Sequence, residues 1–186
     1  MIELAWQLMM GFGLAASAGL RVFLPLLVVG VAGRLELIGL GERFTWMASD
    51  AALSVFAVAV VIEVLGDKIP FIDHALDAVG TFARPIAGAL AAASPITAMN
   101  PVTAAVVGVI LGATVAGGVH AAKAGTRILS TLGTAGLANP LISVAEDALS
   151  LGDALVSLFL PVVTFALALA VLYLFYRGTR RRPVKA

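Results

Sequence analysis

The 186 residues are 61% hydrophobic and 12% charged, with a mean hydropathy of +1.05, a net charge of +1 and no cysteine. That make-up excludes an ordinary soluble domain, and the missing cysteine excludes disulfides, thiolate catalysis and cysteine-ligated metal. A net charge so near zero carries no nucleic-acid signature, and the basic excess is local to the C-terminus.

Apolar runs approaching the roughly 20 residues needed to cross a bilayer recur along the chain. The expected fold is therefore all-α, a polytopic transmembrane helix bundle forming one integral membrane domain over 1–186. Residues 2–20 make the first run. Glu3 stands where a signal peptide would carry positive charge, so a retained first helix is expected. Arg21 and Pro25 interrupt what would otherwise continue to 33 as one very long helix, which predicts a break or kink. Residues 33–50 carry Arg34, Glu36, Glu42, Arg43 and Asp50 among glycines, with Phe44 and Trp46 near the end. This reads as a solvated loop closing on an aromatic interface anchor.

The second run, 51–65, leads into Asp67-Lys68-Ile69-Pro70 and an amphipathic stretch over 71–83. Residues 85–99 would be about 22 Å long as a helix, a thin crossing or a re-entrant segment. Asn100-Pro101 opens the clearest span, 102–122, where Gly108, Gly112, Gly117 and Gly118 offer a close-packing face. Such Gly/Ala-rich faces suit a neighbouring helix of the same chain or of a homo-oligomer. Residues 128–145 contain Gly133, Gly136 and Asn139-Pro140, so they would cross only as a broken helix. The last span, 154–176, runs into a basic tail at 177–186 with Arg177, Arg180, Arg181, Arg182 and Lys185.

The positive-inside rule puts that tail in the cytoplasm. Counting back, the acidic 146–153 turn falls outside, Lys123 and Arg127 inside and the 34–50 loop outside. The tally is about six membrane-crossing or re-entrant segments with both termini inside. An internal echo adds to this: shifted by 106 positions, Gly11, Ala15, Ala16, Ala18, Gly19 and Arg21 fall on Gly117, Ala121, Ala122, Ala124, Gly125 and Arg127. It predicts either an inverted repeat of halves 1–98 and 100–176, with a midplane site between broken helices, or chance agreement in an Ala/Gly-rich chain.

Charges at membrane depth mark the candidate site, since each costs about 2.5–3.5 kcal/mol on insertion scales unless paired or wet. Arg21 and Glu63 are expected to pair with each other or to snorkel to the interface. His120, Lys123 and Arg127 share one helical face that suits an anionic solute or headgroup, or sets topology. Lys68 completes the set. Asp67, Asp73 and Asp77, with His74 among them, form a weaker alternative for Mn, Zn or Mg, against the plain reading of a solvated helix face. The order Asp77-x-x-Gly80-x-x-Ala83-Arg84-x-x-x-Gly88 partly resembles CDP-alcohol phosphotransferases. It lacks their decisive acids, because Val79 stands where Asp should precede the glycine and no Asp pair follows Gly88. No Gly-x-Ser-x-Gly, His-Glu-x-x-His or Walker loop occurs, and nothing calls for a cofactor.

Residues 16–25 (Ala-Ser-Ala-Gly-Leu-Arg-Val-Phe-Leu-Pro), 67–73 (Asp-Lys-Ile-Pro-Phe-Ile-Asp), 84–88 (Arg-Pro-Ile-Ala-Gly), 120–125 (His-Ala-Ala-Lys-Ala-Gly) and 136–140 (Gly-Leu-Ala-Asn-Pro), followed by Glu146-Asp147, carry a family resemblance. Over nearly the whole chain the sequence resembles a bacterial membrane family known as domain of unknown function 4126. The resemblance implies a small polytopic inner-membrane protein and no particular activity.

The leading expectation is a small transporter or channel-like protein for an anionic solute or lipid headgroup, with Arg21, Glu63, Lys68, His120, Lys123 and Arg127 at its site. The alternatives are a non-transporting scaffold or accessory subunit and, more weakly, a metal-dependent membrane enzyme. A polar cavity among the charges, a dry bundle with rim charges, or converging carboxylates would distinguish the three.

Overall fold

The computed structural model describes residues 1–135 and 137–180, without the side chains of 70–71, 73–75, 77, 172, 174–176 and 178–180. In chain order it forms α1 (Ile2–Leu20), α2 (Phe23–Arg34), α3 (Asp50–Gly66), α4 (Pro70–Ala93), α5 (Pro101–Gly108), α6 (Thr114–Thr134), α7 (Asn139–Phe159) and α8 (Pro161–Arg180). A 3-10 turn, Glu42–Ala48, precedes α3, and a π-helical turn, Val109–Ala113, joins α5 to α6. No strand occurs among the described residues.

Helices α2, α4, α6, α7 and α8 gather on α1, and its small residues are the reason. A Cβ on Gly11 would stand 2.5 Å from the Ala92 carbonyl oxygen of α4, and one on Gly19 2.6 Å from that of Ala116 in α6. Backbones approach this closely only where the side chain is absent. On another face Ser17 Oγ donates to the Ser150 carbonyl of α7 at 2.8 Å.

The expected interruption at Arg21 is present, as a hairpin and not as a kink in one long crossing. Arg21 itself is extended, at φ −134° and ψ 126°. Pro25 then lies in the first turn of α2, where a missing N–H breaks no helical bond. Near the start of α1, Gln7 Oε1 accepts the backbone N–H groups of Thr97 and Ala98, each at 3.0 Å. Just beyond α2, Gly41 N–H donates to the Ser94 carbonyl at 2.9 Å. Both outer ends of the hairpin therefore meet the same 94–98 corner, and Arg21 lies at the far end.

Two further expectations change. The 71–83 and 85–99 stretches are one helix to Ala93, with Pro85 inside it. The 128–145 stretch is broken as expected, but its two pieces end one helix and begin the next: α6 runs to Thr134, Ala135 turns the chain at φ 51°, and Asn139-Pro140 open α7. Proline in a first helical turn starts a helix and does not break it. The acidic 146–153 stretch is accordingly helical, and Glu146 lies at the same end as Lys123 and Arg127.

Among the described residues one helix, Pro101–Thr134, is by length and composition long and apolar enough to cross a membrane. The 3-10 turn and α3 pass the same test together, bent by 64°. The echo finds no support locally: Arg21 is extended and Arg127 mid-helix, and Gly11 and Gly19 are tightly packed where Gly117 and Gly125 meet nothing within 4 Å.

The outward faces are apolar. α7 buries Ser143, Glu146, Ser150 and Ser157 and exposes Leu141, Val144, Leu149 and Leu155, while α3 buries Glu63 and exposes Val55, Val58, Val61 and Ile62. This inverts the pattern of a water-soluble surface helix.

Candidate functional site

Five charged side chains that are at least nine-tenths buried, Arg21, Asp67, Lys123, Arg127 and Glu146, converge where α1 gives way to α2. Asp67 caps the C-terminus of α3. Arg21 Nη1 donates to Asp67 Oδ2, and Arg127 Nη2 donates to the same oxygen at 3.2 Å. Lys123 Nζ lies 3.8 Å from it. From α7, Glu146 Oε2 accepts from Arg127 at 3.0 Å and pairs with Lys123 at 3.1 Å.

Arg21 reaches α7 as well. Its Nη2 donates to Ser143 Oγ at 2.9 Å and stands 2.7 Å from Asp147 Oδ1. Lys68 pairs with the other Asp147 oxygen at 3.6 Å from a more exposed position. Lys123 Nζ also donates to the Leu20 carbonyl at 3.2 Å, one of the carbonyls left open where α1 ends. The network therefore ties the α1–α2 junction, the end of α3, α6 and α7 to one another. A group of cations this dense is stable only because carboxylates lie between them.

Glu63 does not pair with Arg21. Its carboxylate accepts Val22 N–H at 2.8 Å and Phe23 N–H at 3.2 Å, two donors that the start of α2 leaves without helical partners. Arg21 takes Asp67 and Asp147 instead.

The expected cationic stripe divides. Lys123 and Arg127 enter the network, whereas His120 Nδ1 lies 2.8 Å from Nη1 of the fully buried Arg84 of α4, and its Nε2 lies 3.3 Å from Thr81 Oγ1. A guanidinium only donates, so Nδ1 is the acceptor. Of the metal candidates, Asp67 is packed among three cations, surroundings opposite to those a metal ion needs. The side chains of Asp73 and Asp77 lie outside the described residues, among which no cluster of three His, Asp or Glu forms a metal site.

Sequence reasoning missed Glu146, Asp147, Ser143 and Arg84 as partners. A signal existed for α7: Ser143, Glu146, Ser150 and Ser157 follow helical spacing, one polar stripe in an otherwise apolar helix.

The model of the family described as Domain of unknown function (DUF4126) matches residues 8–181. No curated protein and no solved structure matches the chain.

Proposed function

The chain belongs to the DUF4126 family, and from the geometry of its buried site we propose a small multi-pass protein of the bacterial inner membrane that moves an anionic solute or lipid headgroup. One observation carries the reading: five nearly inaccessible charges meet inside a bundle whose outward faces are apolar. Removing charges from water costs more than their pairing commonly returns, so a bundle that only held its shape would do as well with apolar side chains.

Each cation of the network is held by a carboxylate, and a solute bearing a carboxylate or phosphate offers the same kind of oxygen. Taking over Arg21, Lys123 and Arg127 would release Asp67, Glu146 and Asp147, and with them the tie between α3, α6 and α7. Binding then favours a different arrangement of helices, which is what alternating access requires. The basic C-terminal stretch and Lys123/Arg127 face the cytoplasm in this reading, with the 34–50 segment outside.

A non-transporting scaffold is the second reading. It is favoured by one feature, that the cations and carboxylates pair with one another and the cavities at the Gln7 and Phe44 corner include no residue of the network. Reconstitution separates the two. Vesicles carrying the wild type should move inorganic phosphate, a dicarboxylate or fluorescent phosphatidylglycerol faster than protein-free vesicles, and the neutral pair Arg127→Gln/Glu146→Gln should not. Absence of flux for all three probes would leave the scaffold.

A further inference from the structure

At the end opposite the network, two adjoining cavities run along one helix. The outer one, about 240 Å³, is lined by Glu42, Arg43, Phe44, Thr97 and Pro101 among others. The inner one, about 320 Å³, has only apolar lining, including Phe44, Ile86, Leu90, Ala105 and Val109. Phe44 borders both, and the lining passes from Pro101 and Ala104 in the outer cavity to Ala105, Val109 and Ala113 in the inner one. At 1.5 Å per residue, Pro101 to Ala113 covers about 18 Å.

The groove has a structural cause. Where α4 crosses the chain after Pro101, a Cβ on Gly112 would stand 2.2 Å from the Gly88 carbonyl oxygen and one on Gly108 2.3 Å from Ala93 Cβ. So close a crossing needs small residues on both sides, and Ala89, Ala93, Ala105 and Ala113 leave the space beside it unfilled. The π-helical turn Val109–Ala113 forms its inner wall, and such turns recur at functional sites.

The charges at the mouth point to the occupant. Arg43 and Glu42 are exposed, and neither makes an ion pair with a described residue, whereas Arg34 nearby pairs with Asp50 at 2.8 Å. One free cation and one free carboxylate beside an apolar slot complement a phosphate and an ammonium on one apolar chain. We propose that this groove binds a zwitterionic phospholipid with a primary ammonium, its phosphate at Arg43, its ammonium at Glu42 and an acyl chain along α5 to the π-helical turn. The site is separate from the buried network and independent of the transport reading.

Native mass spectrometry of the full chain in detergent tests it with three probes of matched chain length. Phosphatidylethanolamine should bind more tightly than phosphatidylglycerol, whose headgroup Glu42 repels, and than phosphatidylcholine, whose quaternary ammonium donates no hydrogen bond. Glu42→Gln should reduce the preference over phosphatidylglycerol by about threefold, the scale of an exposed ion pair. Ala105→Phe should block the slot for all three lipids. Ile86→Trp should do the same from an exposed wall position whose change leaves the core intact. Equal binding of the three lipids, or unchanged binding in both blocked variants, would overturn the proposal and leave only unspecific boundary lipid.

Discussion

Arg21 and Arg127 stand 106 positions apart in the chain, yet their guanidinium groups meet at a single oxygen, Asp67 Oδ2. Two cations tolerate this approach because the oxygen between them is anionic and because Glu146 and Asp147 compensate from the α7 side. The C-terminus of α3 is thereby tied to both the α1–α2 junction and α6.

Removing that carboxylate should take one anionic partner from two guanidinium groups and one ammonium, leaving Glu146 and Asp147 to hold all three. Asp67→Asn and Arg21→Gln should each cost about 3–5 kcal/mol, as expected when one partner of a buried pair is lost. The double variant should cost less than the sum, with a coupling of about 0.5–3 kcal/mol. The same cycle between Arg21 and Glu63 should give a smaller coupling, since those side chains do not touch. Unfolding in detergent measures both, and additivity at Arg21 and Asp67 would contradict the network.

Glu63 acts on backbone and not on Arg21, so its loss should be felt at α2. Glu63→Gln presents one acceptor oxygen where there were two and should cost about 0.5–2 kcal/mol, the range for a lost helix cap. Glu63→Ala should cost more, because buried N–H groups are then unsatisfied. Hydrogen exchange should quicken at Val22 and Phe23 before it quickens at α1, and uniform quickening would argue against a local cap.

Glycines that correspond in the echo should respond oppositely. Gly19→Ala pushes a Cβ to 2.5 Å from Val119 Cβ and 2.6 Å from the Ala116 carbonyl oxygen, an overpacking worth about 1–3 kcal/mol. Gly125→Ala meets nothing within 4 Å and should stabilise α6 by up to about 1 kcal/mol. Equal responses in thermal unfolding would show that the two positions are packed alike.

The orientation proposed above is open to thiol labelling, since the natural chain has no cysteine. Thr45→Cys lies at the 94–98 corner end and Thr134→Cys beyond the network. An impermeant reagent should label Thr45→Cys in intact cells and Thr134→Cys only after permeabilisation. The reverse pattern would invert the protein, and labelling of both in intact cells would place the two ends on one side.

Much of the local structure was legible in the sequence because it depends on near neighbours in the chain. Arg21 and Pro25 end one helix and begin another, and Asn100-Pro101 starts a span whose Asn100 Oδ1 accepts Thr103 N–H at 2.9 Å. The helical class, the apolar surface and the ionisable residues follow equally from composition and spacing, and the family came from the resemblance of its motifs, which the family model bears out. Partners were not legible. Helical spacing puts Lys123 and Arg127 on one face but does not say which helix that face meets, and a hairpin at Arg21 reads along the chain much like a kink. Arg21 binds Asp67 and not Glu63 because the chain reverses there and Glu63 is drawn to the bare N–H groups of α2. Glu146 reads as an exposed acidic turn until α7 packs against α1 and turns it inward. Spacing along a chain sets which face a charge occupies, and the cost of leaving a buried charge unpaired decides its partner only once the helices have come together.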